Sequence, residues 1–260
     1  MIKTYLETKH TKLYNGDCID IIKQLSNGSF SKVITSPPYN IIRPNAVDRG
    51  YDIYKDRLLN NEEYAKWITK LFNLFDEKMS ENGCVLWNMS YGSENTECMP
   101  ITINEILKKT NFTLADIIVW KKKCATPNNV SSNKMTRICE FVYVFCRRNE
   151  YQSFTTNKRI VGYRETGQAL YENIFNYFIA ENNDGSNELN KATFSEQFVD
   201  NLINRYILPN DTVLDCSSGT GTTMCACEAK QINSIGIELS KEQCEYAKNR
   251  IMADRQLKLL

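Results

Sequence analysis

Seven short runs of apolar and β-branched residues are separated along the chain by segments of helical period. The runs are Lys12–Asn15, Val33–Thr35, Cys84–Met89, Asp116–Trp120, Glu140–Cys146, Thr212–Cys216 and Ser234–Leu239. Between them, Tyr64, Trp67, Ile68, Leu71, Leu74, Phe75 and Met79 form one stripe of a predicted helix over Glu62–Met79. Phe198, Val199, Leu202, Ile203 and Tyr206 do the same over Ser195–Ile207. Lys241–Met252 places Cys244, Ala247, Lys248 and Ile251 on one face, with Ser240 as N-cap and Gln243 at the capping-box position. A helix between two strands returns the chain across the sheet, so alternation implies parallel neighbours. The expectation is an α/β fold: a mostly parallel sheet of about seven strands with helices on both faces. In such sheets ligands sit beyond the carboxyl ends of strands, so the turns there are where chemistry is sought.

With 260 residues, 42% hydrophobic and 24% charged, the chain suits one large globular domain and not a disordered or collagenous class. No apolar run is long enough to span a bilayer. The start, Met1-Ile2-Lys3-Thr4-Tyr5-Leu6, soon meets Glu7, Lys9 and His10 and holds no signal-peptide core. A cytoplasmic protein is expected. Ten cysteines without a C-x-x-C pair, beside a single histidine, do not make a zinc site. Cys84 and Cys146 lie inside apolar runs, and the cysteines read as reduced thiols acting as small hydrophobes. No metal is expected.

Net charge is +1, which argues against a histone-like binder but leaves room for a basic face. Lys121, Lys122, Lys123, Lys134 and Arg137 fall in a stretch without acids. Arg147, Arg148, Lys158, Arg159 and Arg164 stand against Glu150 alone. Two segments do not read as core: Ile41–Leu59, and Arg147–Asn190 with its polar end. Long irregular insertions in compact domains are commonly functional or disordered.

Two turns stand out. After Thr212-Val213-Leu214-Asp215 comes Cys216-Ser217-Ser218-Gly219-Thr220-Gly221-Thr222-Thr223, opening a helix. Glycines allow the backbone to turn sharply and approach a ligand, and the N–H groups at a helix start favour an anionic group. The next strand ends at Glu238, placed to accept hydrogens from ribose hydroxyls. No Gly-Lys-Ser/Thr follows, so a phosphate-gripping P-loop is rejected. After Val33-Ile34-Thr35 comes Ser36-Pro37-Pro38-Tyr39-Asn40. Consecutive prolines fix two φ angles and make a rigid ledge with a hydroxyl, backbone carbonyls and an aromatic face. That set suits a planar base with an exocyclic amine, stacked on Tyr39 and held through Ser36 and the Pro37 carbonyl.

Taken together, Thr35-Ser36-Pro37-Pro38-Tyr39-Asn40 and Asp215-Cys216-Ser217-Ser218-Gly219-Thr220-Gly221-Thr222-Thr223 resemble the two signature motifs of the amino-group DNA methyltransferases. Asn15-Gly16-Asp17-Cys18 is similar to that family's early G-D-C element, and Lys191-Ala192-Thr193-Phe194-Ser195-Glu196 to its second cofactor-contacting motif. The ledge precedes the glycine loop, the permuted order of the β-class subgroup. The chain departs from the family where Cys216 and Ser217 replace Pro-Phe, and where Asn190-Lys191 stands in place of His-Pro.

The resemblance implies a Rossmann-like catalytic domain over residues 1–260, with a small target-recognition insertion at about 147–190. It implies S-adenosyl-L-methionine as methyl donor and a target nucleotide flipped out of double-stranded DNA. Ser36, Pro37, Pro38 and Tyr39 become the catalytic ledge. Asp17 and Cys18 fall to the adenine side, Glu238 to the ribose, and Thr193, Phe194, Asp215, Ser217, Gly219, Gly221, Thr222 and Thr223 to the methionine side. The ten basic residues named above become candidate DNA contacts. Serine before Pro-Pro-Tyr favours N4 of cytosine. N6 of adenine is the alternative, and a catalytically silent cofactor-binding partner subunit a second one. A homodimer and a cognate restriction endonuclease are further partners that the resemblance allows.

Overall fold

The structure is a computed structural model, described over residues 2–39, 60–90, 95–125, 131–185, 189–190 and 193–257. Asn40 of the ledge motif, the segment Ile41–Leu59, and Lys191 and Ala192 of the second cofactor motif lie outside the described residues.

A nine-stranded sheet carries the fold. Its strands are β1 (Leu6–Glu7), β2 (Thr11–Asn15), β3 (Phe30–Thr35), β4 (Met79–Met89), β5 (Phe112–Lys122), β6 (Cys139–Arg147), β9 (Tyr177–Ala180), β10 (Thr212–Asp215) and β11 (Asn233–Glu238). They lie side by side as β1-β2-β11-β10-β3-β4-β6-β5-β9. β2, β11, β10, β3 and β4 are mutually parallel. β6 runs antiparallel to both β4 and β5, and β9 is parallel to β5, so seven strands share one direction. The expected sheet is present, widened by the two-residue β1 and the four-residue β9. Neither is long enough to show a period in sequence. A separate hairpin, β7 (Ile160–Tyr163) and β8 (Ala169–Tyr171), stands apart from the sheet.

The helices are α1 (Cys18–Gln24), α2 (Asn61–Lys78), α3 (Cys98–Lys109), α4 (Glu196–Tyr206), α5 (Thr222–Lys230) and α6 (Lys241–Leu257). α2 starts in a complete capping box between Asn60 and Glu63. Ser195 caps α4, and the Ser240 hydroxyl accepts from the Gln243 N–H at the start of α6. Successive strand residues face opposite sides, and the core divides accordingly. Val33, Val85, Phe145 and Leu214 pack with α1, α2 and α3, while Ile34, Leu86, Val144 and Val213 pack with α4 and α5. Cys84, Cys146, Cys225, Cys227 and Cys244 are fully buried, as small hydrophobes would be.

Candidate active site

Parallel strands bring their carboxyl ends to one edge. Register pairs Glu238 with Asn15, Asp215 with Gly236, Leu214 with Val33 and Thr35 with Trp87. The segments beginning at Asn15, Thr35, Asp215 and Glu238 therefore leave the sheet together.

The glycine loop is built around two buried carboxylates. Asp215 is 1% exposed. It accepts from the Thr35 hydroxyl at 2.8 Å, the Thr223 hydroxyl at 2.6 Å and the Ser217 N–H at 3.1 Å. Burial pushes its carboxyl up to about 6, against the pull of those three donors. Glu238 accepts from the Gly219 N–H at 2.9 Å and the Ser240 N–H at 2.8 Å, one on each oxygen. The carboxylate thus braces the start of the glycine loop and the turn after β11 together. Gly221, the N-cap of α5, has φ +83° and lies against α6, where a Cβ would come 2.7 Å from that of Ala247. Only glycine fits that combination. Thr222 and Thr223 turn their hydroxyls to Arg250 and Asp215, so what they offer a ligand is the backbone of the first turn of α5.

On the flanks, Asp17 caps α1 through the Ile19 N–H at 2.8 Å, and Cys18 is buried behind it. Thr193 shares a cavity of about 50 Å³ with Thr220, Thr222 and Arg250. The Phe194 ring packs 4.8 Å from that of Phe198.

This loop fits a nucleoside carrying an amino acid. The hydroxyls of Ser218 and Thr220 are buried there without a hydrogen-bond partner, a state that costs free energy until a ligand's polar groups fill it. Neither residue stands out from the rest of the loop in sequence.

The ledge leaves β3 after Thr35, the residue whose own hydroxyl ties it to the loop. Ser36 is half-buried, Pro37 buried and Pro38 exposed. Tyr64 of α2 donates to the Pro38 carbonyl at 3.1 Å and holds the turn from below. The Tyr39 hydroxyl lies 3.2 Å from Glu140 Oε2, 3.3 Å from Asn88 Oδ1 and 3.5 Å from Ser36 Oγ. Asn88 is oriented by its own bond to the Phe141 carbonyl, and Glu140 is ion-paired with Lys122. Burial first, then Glu140, holds the Tyr39 phenol well above its ordinary range, so it is neutral and donates. A ring anchored at its hydroxyl presents a fixed face. Sequence reasoning missed Tyr64, Asn88 and Glu140. The last two are lone polar residues inside apolar strands, a signal that was there to be read.

The basic residues separate into three groups. β5 ends and β6 begins at the ledge's edge of the sheet, so Lys121, Lys122, Lys123, Lys134 and Arg137 flank the site. Lys121 and Lys134 are exposed, Lys123 pairs with Glu181, and Lys122 lies 5.0 Å over the Trp120 ring. Arg147 and Arg148 stand at the other end of β6, about 26 Å away along the strand. Arg147 as a DNA contact is corrected by the structure. It is 7% exposed and binds Asp76 at 2.6 Å, Glu150 at 3.2 Å and the carbonyls of Asp76, Met79 and Ser80. Arg148 is exposed and reaches the Leu107 carbonyl on that same far edge. Lys158, Arg159 and Arg164 are exposed on and beside the hairpin, with Arg159 paired to Glu172. Asn157 roots that segment on the carbonyls of Ile203 and Ile207 at the end of α4.

Among the described residues no group of three or more His, Cys, Asp or Glu could hold a metal ion, and no helix is long and apolar enough to cross a membrane. Among known proteins, the chain is 25% identical to the Type II methyltransferase M.BglII of Bacillus subtilis, over 91% of this chain and 67% of that one. It is also 25% identical to the Type II methyltransferase M2.MboI of Moraxella bovis, over 96% and 91%. Among solved structures, the PvuII DNA methyltransferase (cytosine-N4-specific) superposes with a TM-score of 0.73 at 16% identity, covering 98% of this chain and 93% of that one. M1.HpyAVI, solved as a SAM complex, gives 0.61 at 21% identity, covering 93% and 99%. The N6/N4 DNA methylase family model matches residues 30–249, and the chain belongs to that family of S-adenosylmethionine-dependent methyltransferases.

Proposed function

We propose that this chain methylates the exocyclic N4 of cytosine in double-stranded DNA. The observation that carries the reading is the Thr35–Asp215 hydrogen bond, which joins the ledge to the glycine loop, so that a base on the one would lie beside a cofactor in the other. S-adenosylmethionine, when bound, supplies an electrophilic methyl group. The chain's own residues position and polarise the base. A flipped cytosine stacks on Tyr39. Ser36 Oγ accepts one amine hydrogen and the Pro37 carbonyl the other, the Pro38 carbonyl being engaged by Tyr64. Accepting both hydrogens draws the nitrogen lone pair out of ring conjugation and toward the methyl group. Glu238 takes the ribose hydroxyls, Asp17 and Cys18 line the adenine side, and the loop from Asp215 to Thr223 holds the amino-acid end.

The preference for cytosine rests on serine at the first ledge position, supported by the name of the PvuII relative. On the same reading Lys121, Lys122, Lys123, Lys134 and Arg137 meet phosphates, and the insertion at about 147–190, which holds the exposed hairpin, reads the target sequence. A homodimer and a cognate restriction endonuclease belong to this proposal. The test is mass spectrometry of nucleosides from mixed-sequence duplex DNA treated with the protein and labelled cofactor. N4-methylcytosine is the expected product. N6-methyladenine would overturn the choice of base, and no product would favour a silent subunit.

A further inference from the structure

One stripe of α6 lies along the glycine loop. Gln243, Ala247 and Arg250 recur at i, i+4 and i+7, which sets them on a single face. Ala247 makes the close approach to Gly221. Gln243 Oε1 accepts from Asn190 Nδ2 at 3.1 Å, and both groups stand within 3.4 Å of where a Gly219 Cβ would be. Arg250 reaches farther. Its Nη1 donates to the Thr220 carbonyl and the Thr222 hydroxyl, each at 3.1 Å. Its Nη2 donates to Glu196 Oε1 at 2.8 Å and Asp184 Oδ2 at 3.4 Å. Asp184 in turn accepts from the Glu196 N–H with both oxygens at 3.0 Å, at the start of α4.

The guanidinium thus spans two walls. One is the glycine loop, the other the approach to α4 that carries Thr193 and Phe194. A planar fork of fixed width holds such a gap more closely than a flexible point charge would. The orphaned Thr220 hydroxyl belongs to the residue whose carbonyl Arg250 holds. We infer that Arg250 is a positioning residue for cofactor binding: from α6 it sets the separation of the two walls between which the amino-acid end of S-adenosylmethionine is held. This rests on the cofactor site described above.

The test is calorimetry of S-adenosylmethionine binding without DNA, together with steady-state kinetics, on Arg250→Met, Arg250→Lys and Glu196→Gln. Loss of charge-assisted hydrogen bonds from a part-buried site predicts Kd and KM for the cofactor raised roughly tenfold to a hundredfold in Arg250→Met. At saturating cofactor, kcat and the KM for DNA stay near wild type, because no reacting atom is touched. Arg250→Lys restores part of the affinity. Glu196→Gln weakens it in the same direction, and adding it to Arg250→Met costs little more, since both remove one bridge. Unchanged cofactor affinity in a folded Arg250→Met overturns the inference. So does unchanged affinity in both milder variants, should Arg250→Met not fold. Failure of the wild type to bind the cofactor would overturn the site itself.

Discussion

Thr35, the last residue of β3, donates its hydroxyl hydrogen to Asp215, the last residue of β10, at 2.8 Å, with both side chains buried. One carboxylate therefore serves the base ledge and the cofactor loop. Thr35→Val keeps the shape and removes the donor. A hydrogen bond to a buried ionised group gives an expected loss of about 1.5–3 kcal/mol in unfolding free energy, with methyl transfer impaired. Thr35→Ser should recover most of both. Denaturant melts of the three proteins decide it, and a loss in the Ser variant with none in the Val variant would mean that the methyl group, not the hydroxyl, matters.

The raised carboxyl of Asp215 gives stability an unusual pH dependence. Its value moves from 3.8 to about 6 on folding. Between these values the folded chain holds a proton that the unfolded chain releases. The contribution is complete below the unfolded value and lost as pH rises through about 6. From about pH 5 to about pH 8 this one group removes about 1.4 kcal/mol. Asp215→Asn does not titrate, so its stability relative to wild type should climb by that amount over the same range. A difference that stays flat with pH would place the Asp215 value near that of an ordinary carboxylate.

The two turns were legible in sequence because glycine and proline constrain the backbone wherever they stand. Gly221 needs its positive φ and its closeness to Ala247, and the prolines fix the ledge. What supports those turns was not legible. Tyr64 carries the same apolar period as its neighbours on α2, so nothing distinguished it until its hydroxyl was seen on Pro38. Arg147 looked like a basic strand end. Glu150 is a local partner, but Asp76 lies 71 residues away near the end of α2 and Met79 and Ser80 open β4, and no local pattern announces those. β9 is four residues long, and its alternation of exposed Tyr177 and Ile179 with buried Phe178 and Ala180 is too brief to rise above a polar insertion.

Tyr39 has one phenolic hydrogen and two acceptors facing it, Asn88 and Glu140. Tyr39→Phe keeps the ring and leaves those acceptors one donor short, at a cost of about 1 kcal/mol in stability. If the ring is the platform for the flipped base, Tyr39→Phe retains most of the activity. Tyr39→Ala should then lose roughly tenfold to a hundredfold in kcat/KM, the worth of one aromatic–base stack. Equal losses in both variants would transfer the role from the ring to the hydroxyl.

Arg147 and Lys121 make opposite predictions from similar charge. Arg147 is enclosed by Asp76, Glu150 and three carbonyls at the far edge of the sheet. Arg147→Met strands those groups and should cost about 3–5 kcal/mol in stability, as breaking a buried pair does. Duplex affinity of the folded fraction should not change. Lys121 is exposed at the end of β5, on the same carboxyl edge of the sheet as the ledge. Lys121→Ala should leave stability within about 0.5 kcal/mol of wild type. It should weaken binding to any duplex and lower the slope of log affinity against log salt by about 0.9, the share of one phosphate contact. Salt titrations of both variants by fluorescence anisotropy separate the two roles. A reduced slope in Arg147→Met would put DNA on the edge of the sheet opposite the ledge, where a flipped base could not reach Ser36.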